Sequence, residues 1–119
     1  MDIDARDRLI DVYYEAVDSR DIDRFADVFA PEATHFRPGQ GTLEGLDAIQ
    51  RYFREDWRSS ETDHAVDKRI HDPEVTVSRM VVSGVYEGEP FEGRFLAEFE
   101  FTPAEDAIVA YRLYRGYER

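Results

Sequence analysis

The chain has 119 residues, 42% of them apolar and 13% aromatic, which excludes a disordered polypeptide and suffices for one domain with its own core. It carries 27 acidic residues against 15 basic ones, a formal charge of −12 that opposes binding to nucleic acid or to an anionic membrane. Cysteine is absent, so disulfides, thiolate catalysis and Cys-based zinc or iron–sulfur sites are excluded.

The basic residues are almost all arginine. Lys68 is the single lysine, and Asp slightly outnumbers Glu. An acidic, Asp-rich, lysine-poor surface is the profile expected of a halophilic archaeon with a high-salt cytoplasm, where mobile ions screen self-repulsion. The opening MDIDARDRL has neither a basic n-region nor an apolar h-region, and no apolar run approaches ~20 residues. A cytoplasmic protein with no membrane span is the expectation.

Residues 4 to 18 read as a helix. Leu9, Tyr13, Ala16 and Val17 fall on one stripe, and Asp2, Asp4 and Asp7 favour its N-terminal dipole. Asp21 is expected to cap a second, short helix whose Ile22, Phe25, Ala26 and Phe29 share a face. Pro31 is expected to stop it, since proline is not tolerated in a helix interior. Thr34 to Arg37 then alternates as a short strand, with His35 and Arg37 on one side. Pro38 to Gly45 reads as a loop. It lacks the GxxxxGK[ST] pattern of a phosphate cradle. A third helix is expected from Leu46 to Arg58, with Leu46, Ile49, Phe53 and Trp57 as its stripe.

The remainder reads as strand. Thr62 to Ile70 places His64, Val66, Lys68 and Ile70 on one face. Glu74 to Glu87 is a long β-branched strand, and Gly88-Glu89 is read as its hairpin turn. Pro90 to Phe101 puts Phe91, Gly93, Phe95, Ala97, Phe99 and Phe101 on one side. Ile108 to Tyr117 is the last strand. Helices followed by an antiparallel meander make one α+β domain over residues 1–119. A strongly curved antiparallel or mixed sheet wrapped around three N-terminal helices leaves a conical cavity.

The segments YYEAVDSRDIDRFADVFAPEATHFRP, GLDAIQRYF, GEPFEGRFLAEFEF and IVAYRLYRGY resemble the nuclear-transport-factor-2-like superfamily, in its SnoaL-like and ketosteroid-isomerase-like branch. The resemblance spans nearly the whole chain and implies the cone-shaped fold. It does not imply one activity, because the fold hosts isomerases, cyclases, dehydratases, hydrolases and binding modules. Tyr13 matches the oxyanion-binding tyrosine of ketosteroid isomerases. Their general-base aspartate falls at Arg37 and their protonated aspartate at Ala97, so steroid isomerisation is not expected.

The family's in/out phase assigns a pocket. Ligand-binding positions are Arg37, Phe53 and Trp57, then Met80 and Val82, then Ala97 and Phe99, then Tyr111 and Leu113. Phe91 and Phe101 are expected merely to pack. Arg37 is either a fork for a ligand carboxylate or phosphate, or an internally paired residue with a helix acid such as Asp56, or a side chain reaching the rim. His35 is either a general base near neutral pH, working with Tyr13, or a partly buried histidine bonded to a backbone carbonyl. The fold could also bring Asp56 to His35 as a dyad. His64 and His71 lack a metal-ligand spacing, so no metal or cofactor is expected. The function expected is binding of an apolar or aromatic small molecule near Arg37, with an acid–base enzyme using His35 and Tyr13 as the alternative. The outer sheet face, mixing Val81, Val85, Leu96 and Tyr114 with Arg and Glu, is expected to form a homodimer across a two-fold axis.

Overall fold

The computed structural model describes residues 1–116. Helix α1 spans Ile3–Ser19. Asp2 caps it, its Oδ1 accepting the Ala5 N–H at 3.0 Å, and Arg20 ends it in the left-handed conformation. A 3-10 helix follows over Ile22–Asp27. Asp21 stands at its N-cap position, yet its side chain makes no capping bond.

The structure departs from the expected helix–proline–strand order here. The helix ends at Asp27, and strand β1 covers Phe29–Arg37, running straight through Pro31. Phe29 pairs with Ile108 of the last strand, and the pairing then slips before Thr34. Pro31 sits in that slip, where no ladder bond is asked of its missing N–H. The region read as a loop holds a short strand, β2, over Gly41–Glu44. It turns back on β1, with Arg37 opposite Gly41 and Thr34 opposite Glu44.

Helix α2 covers Leu46–Arg51 and passes into a π-helical turn over Tyr52–Asp56. The expected continuation to Arg58 fails because the Trp57 N–H bonds to the Tyr52 carbonyl five residues back, after which the backbone is extended. The four long strands are β3 Ser59–His71, β4 Thr76–Tyr86, β5 Glu89–Phe101 and β6 Ile108–Arg115. Tyr117, expected in the last strand, lies outside the described residues. The β4–β5 turn is Glu87-Gly88, not Gly88-Glu89. Both residues have positive φ, 50° and 85°, as a type I′ hairpin requires.

The sheet order is β2-β1-β6-β5-β4-β3. All neighbours are antiparallel except β1 and β6, which run parallel. The sheet is mixed and not closed, and the helices cover its concave face as the cone-shaped reading required. The β5 alternation holds: Ala97 and Phe99 are fully buried on the inner face. The β3 alternation does not. Val66 pairs with Met80 but Lys68 pairs with Arg79, so β3 carries one extra residue there. The bulge flips the phase. Ile70 is 56% exposed, and Arg69 turns inward to Asp7 and Asp11 on α1. On the outer face Glu98 stands opposite Arg112, and Arg112 pairs with both Glu98 and Glu100.

Candidate functional site

Tyr13, on the inward stripe of α1, stands at the centre of an aromatic cluster with Phe25, Phe29 and Tyr111. Its hydroxyl is hydrogen-bonded to His35 Nε2 at 2.8 Å. His35 comes from β1 and stacks on Tyr111, ring centroids 4.2 Å apart. It is 0% exposed, and its Nδ1 is buried without a hydrogen-bond partner. Burial, with the nearby Arg37 charge second, holds the imidazole well below its ordinary range, so the ring is neutral. Burial likewise pushes the Tyr13 phenol well up, keeping it protonated. His35 and Tyr13 therefore engage each other, and His35 lies behind the cavity wall. No His35–Asp56 dyad forms: Nε2 is taken by Tyr13, Nδ1 is buried without a partner, and Asp56 borders a surface pocket that His35 does not line.

Arg37, two residues along the same face, is different. Its guanidinium carbon lies 5.3 Å from the Tyr52 ring centre and 5.2 Å from that of Phe53. Among the described residues no carboxylate pairs with it, and the expected Asp56 partner does not. Asp56 instead borders a neighbouring surface pocket with Glu55 and Arg58.

An inner cavity of about 100 Å³ lies between α1, the π-turn and the sheet. Tyr13, Arg37, Phe53, Trp57, Val82, Tyr111 and Leu113 form part of its wall. It shares Arg37, Trp57, Ser59, Phe91, Phe95 and Leu113 with a vestibule of about 520 Å³. Pro38, Gly39, Gln40, Tyr52, Tyr86 and Arg115 complete that vestibule. The vestibule thus has two guanidinium groups on its wall, Arg37 and Arg115, in a strongly acidic protein. The mouth is braced by Arg20, which stacks over Trp57 at 4.4 Å and donates to the Ser59 carbonyl.

Three expected ligand positions are elsewhere. Met80, Ala97 and Phe99 are fully enclosed in the core and form no part of the cavity wall. Phe99 instead packs edge-on against Tyr13, Tyr14 and Tyr111, which fill the space over it. Conversely, Phe91 is on the wall of both spaces rather than mere packing.

A polar pair escaped the sequence reading: His64 lines the inner cavity, and Asp18 stands beside it in an open groove on the other side. Asp18 Oδ1 lies 2.5 Å from His64 Nδ1, and its Oδ2 accepts the His64 backbone N–H at 2.9 Å. The Thr62 hydroxyl donates to Oδ1 at 2.9 Å. Burial pushes the Asp18 carboxyl up, but these bonds, the His64 ring first among them, outweigh it and hold it below the usual range. The signal was faint. Tyr14 and Asp18 are one turn apart on α1, and His64 of β3 stacks on Tyr14 while bonding to Asp18. No group of three or more His, Asp or Glu that could hold a metal occurs among the described residues.

A family model described as the SnoaL-like domain matches residues 10–111. Among proteins of curated function, none matches the sequence significantly. Several solved structures share the fold. A nuclear-transport-factor-2-like protein from Anabaena variabilis superposes with a TM-score of 0.82 at 17% identity, over 98% of this chain and 90% of that one. An epoxide hydrolase of M. tuberculosis, described as LEH-like, gives 0.80 at 12% identity, over 94% and 79%. A putative polyketide cyclase from Sinorhizobium meliloti gives 0.74 at 20% identity, over 90% and 94%. At these identities the likeness shows the fold.

Proposed function

We propose, from the premise that this chain belongs to the SnoaL-like domain family, that its cavity binds an apolar or aromatic small molecule with an anionic or carbonyl group at Arg37. One observation carries the reading: a half-buried guanidinium between cavity and vestibule, laid over two rings and lacking a carboxylate partner among the described residues. An uncompensated cation away from bulk water is costly, and a ligand anion removes that cost. The aromatic wall supplies the apolar contact that such pockets use for affinity. The epoxide hydrolase and putative cyclase among the structural neighbours support small-molecule chemistry in this fold.

Acid–base work by His35 and Tyr13 has less support, because the two groups hydrogen-bond to each other and His35 is sealed from the cavity. The acidic, arginine-dominated surface fits a high-salt cytoplasm, and the outer sheet face fits a second copy of the chain.

The test is calorimetric binding of benzoate, phenylacetate and 2-naphthoate, each against its neutral amide, on wild type and Arg37→Gln. Carboxylates are expected to bind wild type more tightly than amides. The variant should lose about tenfold or more for the acids, since a hydrogen bond to a charged group is worth about 1.5–3 kcal/mol. Equal affinity for acid and amide in wild type would overturn the role of Arg37.

A further inference from the structure

The mouth of the cone carries a second cation that the binding reading leaves without a role. We propose that Arg115 forms a second anion subsite, so that the ligand is an elongated aromatic diacid lying in the vestibule, one carboxylate at Arg37 and the other at Arg115. The proposal rests on the binding reading above and adds to it the ligand class and the place where the ligand's body lies.

Space for such a body exists only at the mouth. Small-molecule sites run to roughly 300–1,000 Å³. The inner cavity has about 100 Å³ and the vestibule about 520 Å³. The cone's interior is filled by its own side chains, with Tyr13 packed against Phe25, Phe29, Phe99 and Tyr111. A ligand ring therefore finds its room among Tyr52, Trp57, Tyr86, Phe91 and Phe95 of the vestibule.

Strand β6 brings Arg115 there by alternation. Tyr111 and Leu113 are buried on the inner face, and Arg115 is the next residue in that phase. It stands opposite Phe95 of β5, which lines the same space. Arg112, in the opposite phase, goes to the outer face and pairs with Glu98 and Glu100. Among the described residues neither Arg115 nor Arg37 has an ion pair of this kind.

The register gives the spacing. Phe36 pairs with Arg112 in the parallel β1–β6 ladder, and one residue further that register sets Arg37 level with Leu113. Arg115 is two residues beyond, about 6.6 Å along the strand and one strand spacing of about 4.8 Å across. Two guanidinium groups rooted about 8 Å apart suit two carboxylates separated by a ring rather than one small anion.

Charge points the same way. The molecule carries −12 and repels anions at long range. No Asp or Glu occurs among the described residues that line the vestibule, where two guanidinium groups leave a local positive excess. Glu55 and Asp56 border the neighbouring pocket, which shares Tyr52 and Trp57 with the vestibule. Like charges on one wall repel each other, and a dianion answers both where a monoanion answers one.

The probe is 1,4-phenylenediacetate. It is compared with its half-amide, which keeps the length but one charge, and with the 1,2 isomer, which keeps both charges but not the span. Binding is read by calorimetry and by the fluorescence of Trp57, the single tryptophan, which stands on the vestibule wall. Titrations are run at the lowest KCl concentration that preserves the far-UV circular dichroism of the fold. Wild type is expected to bind the 1,4 diacid about fivefold more tightly than either comparison compound, the upper range for a solvent-exposed ion pair, with a change in Trp57 emission. Arg115→Gln should bring the diacid down to the affinity of the half-amide. Arg115 is exposed, so this substitution leaves the core untouched. Added KCl should erode the preference in wild type, because mobile ions screen an exposed pair. Equal affinity for diacid and half-amide in wild type overturns the second subsite and leaves the Arg37 reading standing; this comparison needs no variant to fold. A 1,2 isomer that binds as well as the 1,4 diacid overturns the elongated ligand. A preference that survives Arg115→Gln overturns the role of Arg115, and binding without any change in Trp57 emission overturns the vestibule as its place. Absence of binding by all three compounds at millimolar concentration overturns this proposal and the binding reading together.

Discussion

Arg6 shows what a buried guanidinium needs in this protein. It is 2% exposed, yet every side of its fork is provided for. Nε donates to Glu105 Oε2 at 2.6 Å, Nη1 to the Asp72 carbonyl at 2.6 Å and Nη2 to the Pro73 carbonyl at 2.8 Å. The carbon of the fork lies 4.9 Å from the Phe101 ring centre. One side chain on α1 thereby ties down the β3–β4 and β5–β6 turns. Glu105 tolerates a φ of 57° because Arg6 and the Asp2 N–H hold its carboxylate in place. Arg6→Met should cost about 3 kcal/mol, the order found when one partner of a buried charge pair is removed, read from the urea midpoint. The exposed Arg8→Met is the control and should change little. Arg6, chiefly by its hydrogen bond, holds the Glu105 carboxyl below its ordinary range. A depressed carboxyl contributes stability that is present above its unfolded value and lost as pH falls through the folded one. Wild type should therefore lose more stability below about pH 4 than Arg6→Met does. Arg37 has the same head group but, among the described residues, no such set of acceptors, and this is the basis for reading it as a ligand's partner.

Among the elements, β3 is the one whose shape depends most on its neighbour. It carries two irregularities, one between Ser60 and Asp63 and one between Val66 and Lys68. The first rests on Gly84 of β4. A Cβ there would stand 2.8 Å from the Ser60 carbonyl oxygen, 3.1 Å from Thr62 Cγ2 and 3.2 Å from Phe91 Cε1. Gly84→Ala should destabilise by about 1–3 kcal/mol, because the closest obstacle is backbone rather than a flexible side chain. Thermal unfolding checks this, and an unchanged midpoint would mean that the bulge moves freely. The same strand shows where sequence reading stops. The α1 stripe and the alternation of β5 were legible, since each follows from one period repeated over many residues. A bulge is a decision between two strands, so Lys68 and Ile70 could not be placed from β3 alone. Strand β2 and the π-turn are similar: four residues of Gly-Thr-Leu-Glu form a strand only because β1 offers an edge. In the site, Arg37 was legible from its strand face. The Asp18–His64 pair was not, because its halves are 46 residues apart and neither has a local signature.

At the scale of the whole molecule the charge dominates. A net −12 is confined to a body of 41 × 34 × 23 Å. The Debye length is ≈ 10 Å at 0.1 M salt and about 3 Å at 1 M, so dilute buffer leaves the acidic surface repelling itself and any second copy. The melting temperature should climb with KCl, and the light-scattering mass should double over the same titration if outer sheet faces meet. Undiminished stability in dilute buffer would remove the high-salt reading, and an unchanged mass would remove the pairing. Order of synthesis follows from the sheet's one parallel contact. Strand β6 lies between β1 and β5, so the earliest strand waits for the latest one to leave the ribosome. Until then β1 and its short partner β2 hang from the rest of the sheet by helices alone. Such distant pairing is slow, and the pocket is complete only once β6 has joined β1 to β5. Arg37, on the strand that waits, has no cavity to face until that moment.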